Sequence, residues 1–118
     1  KETVYSLVDV SEYDPYYFGS VSFDVYKNKD VGIYALSFSS INHNGHVETD
    51  LFSSLDLSDY ISKLERAIEK SESGEDSRYG LFNTYNYTSN IYISKDYYST
   101  LISIENAKAL LSKMKSFL

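Results

Sequence analysis

The hydrophobic period of this chain switches from two to about 3.6 residues, and does so twice, which limits the folds open to it. Val21-Ser22-Phe23-Asp24-Val25 alternates apolar and polar residues, as a strand with one buried face requires. Residues 4–10 are β-branched and apolar, and residues 32–39 place Tyr34, Leu36 and Phe38 on one face. From Ile61 the spacing lengthens. Ile61, Leu64, Ala67 and Ile68 form one helical stripe. Strand-like segments then return at 78–85, 90–94 and 97–103, before a second helical face of Ala107, Leu110, Leu111, Met114, Phe117 and Leu118. The order is therefore strands, helix, strands, helix.

Local signals punctuate this order. Lys27-Asn28-Lys29-Asp30 and Asn42-His43-Asn44-Gly45 read as turns; Asn-Gly supplies the positive φ angles of a tight hairpin. Residues 21–52 thus read as a three-stranded antiparallel meander. Ser58 is the expected N-cap of the first helix, with Asp59 complementing the helix dipole. Ser71 to Ser77, a polar stretch broken by Gly74, is expected to end that helix as a mobile loop. Residues 78–85 and 90–94 read as two strands joined through 86–90. Ser103 is the expected cap of the last helix, with Glu105 in its first turn and Lys113 and Lys115 near its end. Leu55, Ile61, Leu64 and Ile68 recur 46 residues later as Leu101, Ala107, Leu110 and Met114. The expected fold is α+β: one antiparallel sheet of about six strands, two α-helices packed on one face, and a single globular domain over 1–118.

Composition narrows the function. A chain of 118 residues can bury roughly two-thirds of its unfolded surface and needs no metal or disulfide staple. It has no Cys, hence no disulfide, zinc-finger pattern or thiol nucleophile. That fits a cytoplasmic protein, and equally a secreted one from an organism that avoids disulfides. No apolar run approaches the ~20 residues of a membrane span, and no signal-peptide pattern is present. The first residue is Lys1, from which removal of an N-terminal piece is expected. Asn86-Tyr87-Thr88 fits a glycosylation sequon, a triplet common by chance. The net charge is −6 and is uneven. Residues 1–60 carry three Lys against ten acids, and residues 61–118 carry eight bases against seven acids. An acidic half repels phosphate backbones and attracts basic surfaces.

No catalytic constellation stands out. The five glycines are scattered singly and no Ser lies in a G-x-S-x-G elbow, so the phosphate-loop and hydrolase signatures are missing. The acid pairs Glu12/Asp14, Glu48/Asp50 and Asp56/Asp59 read as solvated faces, not as a buried pair with split pKa values. His43 and His46 flank a turn, where an i, i+3 pair diverges, so no metal site is expected. The chain is expected to be no enzyme and to need no cofactor.

Thirteen residues are Tyr, which packs like a hydrophobe yet offers a hydroxyl and suits binding surfaces. Residues 11–20, Ser-Glu-Tyr-Asp-Pro-Tyr-Tyr-Phe-Gly-Ser, are the most distinctive. Pro15 stiffens the segment and lowers the entropy cost of presenting its rings. Tyr13, Tyr16 and Tyr17 with Glu12 and Asp14, joined by Glu48 and Asp50, are the expected partner-binding residues: aromatic anchors in an acidic rim. Tyr16, Tyr17 and Phe18 filling the core is the competing reading. The expected function is a non-enzymatic module that occludes a basic surface of a partner protein. By type it is similar to immunity proteins against toxins and to phage-encoded anti-defence inhibitors. The strands-then-helix order, twice, also resembles the layout of PUR and whirly single-strand-binding proteins. That resemblance implies bases stacked on sheet tyrosines, with Arg78, Tyr92, Lys95 and Tyr97 as the residues concerned. The charge argues against nucleic acid. An exposed sheet edge would let two copies pair.

Overall fold

The computed structural model describes residues 3–11, 19–27, 32–40 and 46–118. Among them the alternating segments form β1 (Thr3–Ser11), β2 (Gly19–Lys27), β3 (Gly32–Ser40) and β4 (Val47–Ser53). Each strand pairs antiparallel with its neighbour in sequence, giving a sheet in the order β1-β2-β3-β4. The register sets Val21, Phe23 and Val25 opposite Phe38, Leu36 and Tyr34. All six side chains are buried, so the alternation in the sequence marks the core face. The strand-like residues 4–10 extend the expected meander to four strands. The turns expected at 28–30 and 42–45 lie outside the described residues.

A 3-10 turn at Ser54–Asp56 leads straight into α1 (Leu57–Glu72). The helix therefore starts before Ser58, which is not its cap. Asp56 holds the cap position with helical backbone angles and no side-chain cap bond, because the preceding turn already winds the chain. The polar stretch from Ser71 is not a loose loop either. Ser71 and Glu72 complete the helix, and Gly74 takes φ +69°. The Gly74 N–H then donates to the Ser71 carbonyl at 3.1 Å and the Glu75 N–H to the Lys70 carbonyl at 2.9 Å. This pairing closes a helix end through a left-handed residue, a conformation glycine adopts cheaply.

The second half supplies β5 (Ser77–Tyr79), β6 (Phe82–Thr84), β7 (Ile91–Lys95) and β8 (Tyr98–Ile102), paired as β5-β6-β7-β8. The expected strand over 78–85 is thus a hairpin, turned at Gly80 and Leu81 with Gly80 at φ +59°. A second tight turn, Asp96-Tyr97, joins β7 to β8, with Asp96 at φ 57°. Helix α2 (Ile104–Lys115) follows, and the Ser103 hydroxyl accepts from the Asn106 N–H at 3.1 Å as its cap. The α+β class and the order of elements agree with the sequence reading. Among the described residues the strands form two sheets of four, and not one sheet of about six, because β4 and β5 do not pair.

One hydrophobic core joins β2, β3, β4, α1, β6, β7, β8 and α2, with Tyr79 of β5 packed against it. Phe23, Tyr34 and Phe52 stack on the inner face of the first sheet, and Phe117, just beyond α2, meets Phe23 and Tyr34 edge-on. Tyr60 of α1 stacks on Phe52 with centroids 3.8 Å apart. Helix α1 packs against α2 and against β5 and β6, and α2 also runs against β1. No described helix is long and apolar enough to cross a membrane.

Candidate functional site

Among the described residues, the outer strand β4 carries the first sheet's most exposed apolar side chains. Its residues alternate, as a strand's must. Glu48, Asp50 and Phe52 share the face of Phe38, Leu36 and Tyr34, and Val47, Thr49, Leu51 and Ser53 share the opposite one. On that opposite face Val47 is 57% exposed and Leu51 64% exposed, and Leu55 in the following turn is 90% exposed. Around them lie Ser37 and Thr49, whose hydroxyls bond at 2.9 Å, and Asp24, which accepts from Ser22 at 3.1 Å. The aromatic packing of both helices falls on the other side, at Phe23, Tyr34 and Phe52. The described side chains of β2, β3 and β4 include no Lys or Arg and three acids, Asp24, Glu48 and Asp50.

Glu48 and Asp50 differ from the sequence reading. They are not on a solvated face. Both point to the core side, at the rim where the two sheets meet. The Lys95 ammonium lies 3.3 Å from Asp50 and donates to the Thr49 carbonyl at 2.7 Å. Glu48 takes a 2.6 Å hydrogen bond with His46 Nε2. The His46 ring stacks on Tyr98, centroids 3.8 Å apart. Strand parity explains the arrangement. Lys95 and Tyr98 are partners at the end of the β7–β8 ladder and share the inner face with Ile93 and Thr100. Two acids tolerate this side of the sheet because the Lys95 cation from β7 and the adjacent His46 imidazole meet them. Sequence reasoning missed the pairing because the ammonium sits 46 residues from the carbonyl it caps.

Lys95 also bears on self-association. The Thr49 carbonyl that it meets belongs to β4, the outer strand of the first sheet. A lysine laid on an edge obstructs pairing with another strand, so dimerisation through this edge would have to displace it. The same hairpin exposes Tyr97 at its turn. Tyr97 stands in the turn between Lys95, which meets Thr49 and Asp50, and Tyr98, which stacks on His46 just before β4, and is 96% exposed. Asp96 adjoins it. The outer face of β4 and the turn after it thus present Val47, Leu51 and Leu55, with Asp24 in the row of Leu51, and Lys95 on the other face is committed to Asp50.

Glu12, Tyr13, Asp14, Tyr16 and Tyr17 lie outside the described residues. Their flanks are described: Ser11, Ser20, Ser39 and Val47 pair in succession across one end of the sheet. The residues linked to single-strand binding are divided. Lys95 belongs to the inter-sheet rim and Tyr97 to the hairpin turn. Arg78 and Tyr92 share the outer face of the second sheet, each paired with Asn83, and the Arg78 guanidinium donates to Asn83 at 3.1 Å. Among the described residues no three His, Asp or Glu side chains gather as a metal would require. No protein-family model matches this chain, and no curated protein or solved structure matches it either.

Proposed function

We propose that the chain is a non-enzymatic protein-binding module that docks through the β4 edge and covers a basic surface of its partner, in the manner of an immunity protein or an anti-defence inhibitor. One observation carries the reading: Val47 and Leu51, exposed apolar side chains on the outer face of β4, followed by exposed Leu55 in the next turn, with Asp24 in the same row as Leu51. Large apolar side chains left outside an otherwise complete core mark interaction surfaces, and a central anchor within a polar rim is the usual layout of an energetic hot spot. The acids would steer a cationic partner and set the rate of encounter. The apolar row would then hold it. Glu12, Tyr13, Asp14, Tyr16 and Tyr17 would add aromatic anchors and acids to the contact. Glu48 and Asp50 would contribute by holding the edge in place.

The test compares baits. Immobilised wild-type protein and a Leu51→Lys variant are offered the same lysate of the source cell at low and physiological salt. A basic protein retained by wild type, released by salt and lost with Leu51→Lys is the expected result. Tyr87→Ala, which alters a ring on the other sheet, should retain it. Equal capture by the Leu51→Lys bait would rule out this edge, and an acidic partner would rule out the charge argument.

A further inference from the structure

The outer face of the second sheet carries a tyrosine cluster that the β4 edge does not use. Tyr85 and Tyr87 stack with centroids 5.5 Å apart, and Tyr92 meets Tyr85 edge-on at 5.0 Å. The Tyr87 hydroxyl donates to that of Tyr92 at 3.3 Å. Tyr87 is thereby held by its ring and by its hydroxyl, yet 71% of it remains exposed. Its loop is also fixed. The Thr88 N–H reaches the Tyr85 carbonyl at 3.3 Å, and the Asn90 N–H reaches the Thr88 hydroxyl at 3.1 Å. The Asn86 N–H donates to Asp76 at 2.7 Å, and Ser71 donates to the Ser89 carbonyl at 2.9 Å. An exposed ring positioned in advance saves a ligand the cost of ordering it.

Beside this ring lies a shallow open groove of about 280 Å³, lined by Glu72, Gly74, Asn86, Thr88 and Ser89 among others. Its volume is below the roughly 300–1,000 Å³ of sites for drug-sized ligands, which suits one small ring. The lining is hydroxyl, amide, carboxylate and bare glycine backbone, with no Lys or Arg. A side-chain carbon at Gly74 would meet nothing within 4 Å, so that wall is open to a ligand. Glu72 is matched by Lys108 at 3.1 Å, leaving no surplus positive charge.

We propose that this groove binds a neutral sugar ring of a glycan, stacked on Tyr87. The electron-rich face of a tyrosine attracts the weakly positive C–H bonds on one side of a pyranose. The hydroxyls on the ring's rim match the Asn86 amide, the Thr88 and Ser89 hydroxyls and the Glu72 carboxylate. A nucleobase would stack equally well, but its phosphate needs a cation, and the groove offers a carboxylate instead.

The test is a titration of isotopically labelled full-length protein, followed by amide NMR, with three uncharged oligosaccharides (chitotetraose, cellotetraose and maltotetraose) and with a thymidine decanucleotide. Saturable millimolar shifts confined to residues 71–74 and 85–90 are expected with at least one sugar. Tyr87→Ala should weaken that binding at least about tenfold, Tyr87→Phe should largely preserve it, and Tyr97→Ala should leave it unchanged. Shifts with the oligonucleotide alone overturn the proposal in favour of nucleic acid. No shift in these residues with any sugar, or binding indifferent to Tyr87→Ala, overturns it outright. Loss of the wild-type β4 partner would not affect the outcome, because the two surfaces lie on different sheets.

Discussion

The two halves of the chain follow one plan, four antiparallel strands and a helix, and put it to different use. Strands in the first half run to nine, nine, nine and seven residues, and in the second to three, three, five and five. At ~3.3 Å per residue a nine-residue strand spans about 30 Å, whereas the twelve residues of α2 span about 18 Å. A short sheet can be backed along its length by one helix. A long one outreaches it. The halves also exchange covers: α1 lies on β5 and β6, while α2 runs against β1 and Phe117 reaches Phe23 and Tyr34. Repetition of a plan thus does not make each copy self-sufficient.

The strongest way to break this comparison is to separate the halves. Fragments 1–73 and 74–118 each lose the helix that covers their sheet. Both are expected to lack near-ultraviolet circular dichroism alone and to regain it on mixing; a folded 1–73 fragment would refute the exchange. Next in size is Phe23→Ala, which empties a fully buried ring site in the first sheet. It should cost about 3–5 kcal/mol in chemical denaturation, with Phe82→Ala in the second sheet in the same range. A much smaller loss for Phe82 would mean that the short sheet is peripheral. Lys95→Met removes the ion pair to Asp50 and the bond to the Thr49 carbonyl. The expected cost is about 1–2 kcal/mol, and a double-mutant cycle with Asp50→Asn should show coupling. Gly74→Ala should cost about 1 kcal/mol, through backbone strain alone since its methyl meets open space. The smallest effect concerns pH. Burial raises the Tyr34 phenol above its ordinary value of 10.0. Its contribution is intact below that pH and is lost as pH rises through the folded value, because the unfolded chain ionises first. Alkaline unfolding curves should therefore fall less steeply for Tyr34→Phe than for wild type.

Legibility in the sequence followed strand length. Val21 to Val25 and Tyr34 to Phe38 alternate long enough to declare both strand and buried face, and the stripes of α1 and α2 are equally plain. Residues 78–85 hide a hairpin because three-residue strands hold too few alternations to register, although Gly80 followed by one residue is a turn signal. Strand β4 misleads for another reason. Polarity would turn Val47 and Leu51 inward and Glu48 and Asp50 outward, and the reverse holds. What decides it is Lys95 meeting Asp50 and the Thr49 carbonyl, a tertiary contact that no local pattern encodes, alongside the local bond from His46 to Glu48. Ser103 reads correctly as a cap because its strand ends in extended backbone. Ser58 does not, because a 3-10 turn has already begun the helix.

The exchange of covers sets a timetable for synthesis. Phe117 is added 83 positions after Tyr34. At the usual ~5–20 residues per second, the stacked rings of the first sheet wait on the order of ten seconds for the residue that closes over them. During that interval a complete sheet shows an aromatic face to the surrounding cell, the kind of surface that chaperones hold. Rare codons late in the message would lengthen the exposure without altering a single amino acid.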